Sequence, residues 1–220
     1  MSMPNRLALF DCDGTLVDSQ HDIVEAMNRC FDTAKLAPPT RLQTLAVIGL
    51  SLPQAMARLL PQAEDHFHEY LAEQYKLAFQ KMRREGGISE PLYPGIAELV
   101  VQLAEEGWML GVATGKSDRG LQNCLTRHGI IGHFVTLQTA DRHPSKPHPS
   151  MGLLAMEEAS AVPETTIMIG DTSYDMEMAA NAGMRALGVN WGYHSPEELT
   201  AAGAYAVAVD TDDLARHIAT

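Results

Sequence analysis

The apolar positions of this chain fall into short unbroken runs, separated by stretches in which they recur with helical spacing. The runs predict strands at Arg6–Phe10, Met109–Ala113, His133–Thr136, Thr166–Ile169, Arg185–Val189 and Tyr205–Val209. A strand that is apolar at successive positions is covered on both faces, as parallel strands are. Helical patterns follow most of the runs, at Asp118–His128, Ser150–Ser160, Tyr174–Ala182 and Asp212–Ile218. This alternation predicts an α/β fold, a doubly wound and mostly parallel sheet.

One interval breaks the rhythm. Between Leu16 and about Glu90 no strand is predicted. Asp18 or Ser19 can cap a helix that runs to about Lys35. Pro38-Pro39 interrupts it, and helical periodicity resumes at Leu52–Leu60 and from Asp65 to about Arg84. Gly86-Gly87, Pro91 and Pro94-Gly95 mark a return linker. The expected organisation is an α/β core of residues 1–16 and 92–220 with an all-helical insert, 17–91, leaving after the first strand. A mobile lid over the end of that strand is the corresponding expectation.

Four polar clusters lie at the carboxyl ends of predicted strands or in the loops beyond them. Asp11-Cys12-Asp13-Gly14-Thr15 follows the first strand, with carboxylates at i and i+2. Thr114-Gly115-Lys116-Ser117 follows the second. There a hydroxyl and a new helix N-terminus suit an anion oxygen, and a plain helix cap is the alternative. Ser145-Lys146-Pro147-His148-Pro149 holds a lysine on a proline-stiffened loop, or one merely solvated. Gly170-Asp171-Thr172-Ser173-Tyr174-Asp175 places two acids at a strand-to-helix junction, where an acid also complements the helix dipole. In a parallel sheet these ends share one edge, so the four clusters converge.

Charge and cysteine content narrow the function classes. The net charge is −12, which argues against nucleic acid or an anionic membrane as partner. Three widely spaced cysteines, Cys12, Cys30 and Cys124, suggest neither a disulfide framework nor a zinc site. The start, Met1-Ser2-Met3-Pro4, carries no signal-peptide pattern, and no apolar run is long enough to span a membrane. A cytoplasmic monomer or homodimer is expected. The 12 methionines are read as core rather than as a cofactor site.

The ordered clusters resemble the four motifs of the haloacid dehalogenase superfamily of phosphotransferases, from Phe10 to about Gly183. The insert has the position and size of that family's small cap. Val47-Ile48-Gly49-Leu50-Ser51-Leu52 resembles the cap specificity loop of phosphoglycolate phosphatase-like members. The resemblance implies a Rossmann-like core and Mg²⁺-dependent hydrolysis of a small phosphate ester. It implies Asp11 as nucleophile, Asp13 as general acid and base, and Thr114, Gly115 and Lys146 around the phosphoryl group. It implies Mg²⁺ held by Asp11, the Asp13 carbonyl and Asp171, with Asp175 acting indirectly. Asp13 favours phosphoester over halide chemistry, because halide leaves without a proton. Gly49 is a candidate specificity position. Arg41, Arg58, Lys76 and Lys81 are candidates for a second anionic group, or are solvated helix faces. Lys116 and Arg119 are candidates for cap or substrate contact, while His21 and Asp22 near the first hinge are read as surface, with lining of the cleft the alternative. A pyrophosphatase, a sugar-phosphate mutase and a non-catalytic phosphate-binding module are the alternatives.

Overall fold

The computed structural model describes residues 4–220; Met1-Ser2-Met3 lies outside them, and with it the reading of the chain start. Six parallel strands form one sheet in the order β3-β2-β1-β4-β5-β6. They are β1 (Asn5–Phe10), β2 (Met109–Thr114), β3 (Phe134–Thr139), β4 (Ala161–Gly170), β5 (Arg185–Val189) and β6 (Ala206–Ala208). The order reverses direction at β1, so a crevice opens outside the carboxyl ends of β1 and β4.

Period-two alternation decides what each face buries. Ala8 and Phe10 point into one core, with Val112, Ile169 and Leu187. Helices α5 (Ile96–Glu105), α6 (Asp118–Arg127) and α10 (Thr211–Ile218) cover that face. Leu7 and Leu9 point the other way, toward α7 (Ser150–Ala159) and α8 (Ser173–Ala182). Met151, Met156, Met168, Met176, Met178 and Met184 fill the second core. Unbranched thioether side chains suit such irregular gaps.

The interval after β1 contains four helices, α1 (Gln20–Thr33), α2 (Arg41–Leu45), α3 (Leu52–Leu59) and α4 (Asp65–Arg84). Their apolar stripes make a cluster of their own around Met27, Phe31, Met56 and Leu71. The chain leaves and re-enters the sheet side by side. Val17 bridges Leu92, Asp18 N–H donates to Pro91 O at 2.8 Å, and Tyr93 N–H donates to Leu16 O at 3.0 Å.

Several expectations need correction. Helix α2 was not expected. It is a single short turn with no apolar period, held by a capping box between Thr40 and Gln43. Helices α5 and α9 (Pro196–Ala201) were also not among the expected elements. Strand β4 begins at Ala161 rather than Thr166; its first half, interrupted by Pro163, pairs with β1 only at Asn5 before a register shift. Strand β3 runs on to Thr139, as the buried Gln138 and Thr139 extend an apolar run with polar side chains.

Candidate active site

Pairing register brings the site together. Phe10 sits opposite both Val112 and Ile169, so Asp11, Thr114 and Asp171 all project from the same sheet edge. Asp11 N–H donates to Ile169 O at 2.8 Å, which holds the turn after β1 against β4. Asp11, Lys146, Asp171 and Asp175 are all wholly buried.

Lys146 is the hub. Its Nζ lies 3.1 Å from Asp11 Oδ1 and 2.5 Å from Asp175 Oδ1. Burial opposes the ammonium, but Asp11 and Asp175 outweigh it and raise its pKa. Asp175 accepts from Thr172 N–H at 3.1 Å and Thr172 Oγ1 at 2.7 Å through Oδ2, in a capping box. Both of its oxygens are therefore engaged. Asp11 Oδ1 also accepts from Cys12 N–H at 2.6 Å, while Asp11 Oδ2 is buried with no partner among the described residues. Asp171 accepts from Thr15 Oγ1 at 2.8 Å and Tyr193 N–H at 3.0 Å.

Asp11, Asp171 and Asp175 each offer a carboxylate oxygen within 4.8 Å of the others. One lysine cannot neutralise three buried carboxylates. Burial, opposed by Lys146 and reinforced by Asp175 and Asp13, pushes Asp11 up to about 7. Burial, then Asp11 and Asp175, holds Asp171 well above the usual carboxylate range. The unpartnered Asp11 oxygen, the all-oxygen donors and the surplus negative charge fit a hard divalent cation.

Asp13 stands at the front of this cluster. Its Oδ1 receives Ser19 Oγ and lies 3.0 Å from Lys116 Nζ. Lys116 also donates to Glu90 Oε1 at 2.5 Å, and Arg83 donates to Glu90 Oε2 at 2.8 Å. Asp13 and Glu90 raise the Lys116 pKa against the opposing effect of burial. The return crossing is thus tied directly to the turn after β1. Asp22 belongs to the same tie. It is buried, not on the surface, and its Oδ2 accepts from Ser89 and Glu90 N–H at 3.0 Å each.

Thr114 is buried, and its Oγ1 accepts from Lys116 N–H at 3.2 Å. The cap of α6 is Ser117, which accepts from Gly120 N–H. Gly115 and Gly49 meet where the insert abuts the sheet edge. A Cβ on Gly115 would come within 2.6 Å of Leu50 O and 3.0 Å of Gly49 O, and Gly49 has φ +95°. Asp13, Gly49, Gly115 and Lys116 line a cleft of about 700 Å³ between insert and core. Lys76 and Arg119 also line it. Arg41, Arg58 and Lys81 do not; they reach Gln20, the Tyr174 ring and Glu85. His21 is exposed, as read.

Ser19, Glu90, Thr172 and Tyr193 were absent from the expected site. Ser19, one of the two cap candidates with Asp18, stands at the N-cap of α1, but its hydroxyl donates to Asp13 rather than capping the helix. Glu90 and Tyr193 are far from the motifs in sequence, and no local pattern marks them.

Comparison with known proteins agrees with this geometry. Residues 8–189 match the family model described as haloacid dehalogenase-like hydrolase. "Probable phosphatase IndB" of Dickeya dadantii is 38% identical over 210 residues, covering 93% of this chain and 89% of that protein. A phosphoglycolate phosphatase of Vibrio vulnificus is 29% identical, covering 89% of this chain and 88% of its own length. A solved structure described as a predicted phosphatase from Clostridium acetobutylicum superimposes with a TM-score of 0.88 at 25% identity, covering 99% of both chains. With the fold, the converging acids and these relatives in hand, the chain belongs to the haloacid dehalogenase-like hydrolases, and among them it is an enzyme of the phosphoglycolate phosphatase-like kind.

Proposed function

We propose that the protein is a Mg²⁺-dependent phosphatase that hydrolyses a small phosphorylated metabolite through an aspartyl-phosphate. The observation that carries this reading is the buried Asp11. One of its oxygens is fixed by Lys146 and Cys12 N–H, and the other has no partner among the described residues. A carboxylate so oriented is a positioned nucleophile.

Asp11 attacks phosphorus, and the bond to the ester oxygen breaks. Asp13, which lines the cleft, gives a proton to the departing oxygen and then takes one from the water that attacks the phosphorylated Asp11. Inorganic phosphate leaves and the free carboxylate returns. Thr114 accepts from Lys116 N–H, so its own hydroxyl proton is free for a phosphoryl oxygen. Gly115 N–H and Lys146 complete the anion's surroundings. Asp11, Asp171 and the Asp13 carbonyl would hold Mg²⁺, with Asp175 acting through Lys146 and Thr172. When bound, the ion relieves the repulsion between Asp11 and the incoming phosphoryl oxygens. The helical insert, 17–91, acts as a cap on a core of 1–16 and 92–220, and its separate apolar cluster supports that division. Three free thiols support a reducing, cytoplasmic setting.

The test is phosphate release across a panel of esters that includes phosphoglycolate. Asp11→Asn should lower kcat by ~10³-fold or more while the circular dichroism spectrum stays native. Wild-type rates for that variant would remove Asp11 as nucleophile. Asp13→Asn should cost ~10²–10⁴-fold, most with poor leaving groups.

A further inference from the structure

The two carboxylate oxygens of Asp13 have different surroundings. Oδ1 receives the Ser19 hydroxyl and lies 3.0 Å from Lys116 Nζ. Oδ2 takes no hydrogen bond among the described residues, and Asp13 lines the cleft between insert and core. A proton on Oδ1 would face the Lys116 ammonium, so the proton that Asp13 gives up is carried on Oδ2.

Lys116 is committed to this arrangement rather than to a substrate. Its side chain is 10% exposed. The ammonium lies 2.5 Å from Glu90 Oε1 and 3.0 Å from Asp13 Oδ1, with the centre of the Phe79 ring at 5.6 Å. Glu90 is buried and is itself held from both sides of the joint. Arg83 of the insert donates to its second oxygen at 2.8 Å, and His128 of the core lies 2.8 Å from its carbonyl. A carboxylate fixed in this way aims the ammonium, and the ammonium faces Asp13.

We infer that Lys116, held by Glu90, is a positioning residue for Asp13: it keeps the transferable proton on the free oxygen and stabilises the carboxylate that forms when the proton leaves. The inference rests on the phosphatase reading and adds to it the groups behind the acid. As Asp11 attacks phosphorus, the bond from phosphorus to the ester oxygen breaks. The proton on Asp13 Oδ2 passes to that oxygen and the alcohol departs. Negative charge then appears on Asp13 beside an ammonium already in place. Stabilisation that is realised only as charge develops lowers the barrier instead of tightening binding. Its benefit therefore grows with the leaving oxygen's need for a proton.

The test is kcat/KM with Mg²⁺ for p-nitrophenyl, phenyl and p-methylphenyl phosphate, esters of similar size whose leaving groups need a proton to increasing degrees. This constant follows the reaction from free enzyme and ester to the transition state. Lys116→Met should lower the ratio of p-methylphenyl to p-nitrophenyl phosphate by about tenfold or more, the effect expected of a lost bond to a charged group. Glu90→Gln should lower the same ratio in the same direction. The double variant removes both charges of the pair, so it leaves no lone buried charge to unfold the protein. Its ratio should equal that of Lys116→Met alone, because the two residues act through one contact. A common loss on all three esters, or an unchanged ratio in the folded double variant, would overturn the inference. The phosphatase reading would then stand on the wild-type rates. No release by the wild type from these esters or from phosphoglycolate, with the fold intact, would remove both.

Discussion

Lys146 shows what a single residue must balance here. A wholly buried ammonium is tolerable only because two carboxylates lie within 3.1 Å. Removing one partner from such a cluster leaves uncompensated charge, typically at a cost of ~3–5 kcal/mol. Lys146→Met should therefore destabilise the metal-free protein by about that much near neutral pH and abolish turnover. The loss should shrink in acid, where Asp11 takes up a proton. Chemical denaturation at two pH values checks this. An equal loss at both would mean that Lys146 acts by packing alone. Nothing adjacent to Lys146 in sequence announces its partners. The proline-stiffened loop made it a candidate, but its pairing with Asp175 depends on α8 standing next to the loop.

At the level of elements, the joint between insert and core is the least legible part of the sequence. Glu90 has a φ of +39° and is buried. That is a strained conformation for a residue with a side chain, and it persists only where surroundings over-determine it. Here they do. Asp22 from α1 accepts its N–H, His128 lies 2.8 Å from its carbonyl, and Lys116 and Arg83 take its carboxylate. The two cations hold the Glu90 carboxyl below its ordinary value, against burial. Asp22→Ala would free two N–H groups of the crossing at once. Each bond to a charged acceptor contributes ~1.5–3 kcal/mol, so the variant should lose at least that much stability. Limited proteolysis should cut faster near Gly86-Gly87. Unchanged cleavage there would show that the crossing is held by its other contacts. Within the insert, Leu71 is wholly buried among α1, α3 and α4. Leu71→Ala should cost ~2–5 kcal/mol by thermal or chemical denaturation.

Across the whole molecule, the carboxylate cluster couples stability to pH and to metal. Asp11 and Asp171 are raised above their unfolded values, chiefly by burial. The folded protein then binds more protons than the unfolded chain between the two pKa values. The stability tied to Asp11 is complete below about pH 4 and is lost as pH rises through about 7, and Asp171 acts in the same direction. In EDTA the Tm contribution of the site should fall over that window. Mg²⁺ competes with protons for the same oxygens, so its stabilising shift should be larger at about pH 8 than at about pH 5. A Mg²⁺ shift independent of pH would mean that the ion binds elsewhere. No helix among the described residues is long and apolar enough to cross a membrane.

The sequence by itself determined the fold class, the helical nature of the insert and the ordered set Asp11, Asp13, Thr114, Lys146, Asp171 and Asp175. These are legible because the hydrophobic period is a local property, and parallel strands put their carboxyl ends on one edge whatever lies between them. The tertiary structure alone decided which groups touch. It paired Lys146 with Asp175, gave the Ser19 hydroxyl to Asp13, buried Asp22, and joined Glu90 to Lys116. It also brought Tyr75 and Phe79 of the insert into the same cleft as Asp13. Those outcomes depend on how the insert seats on the sheet, a packing of surfaces distant in sequence that no local pattern encodes.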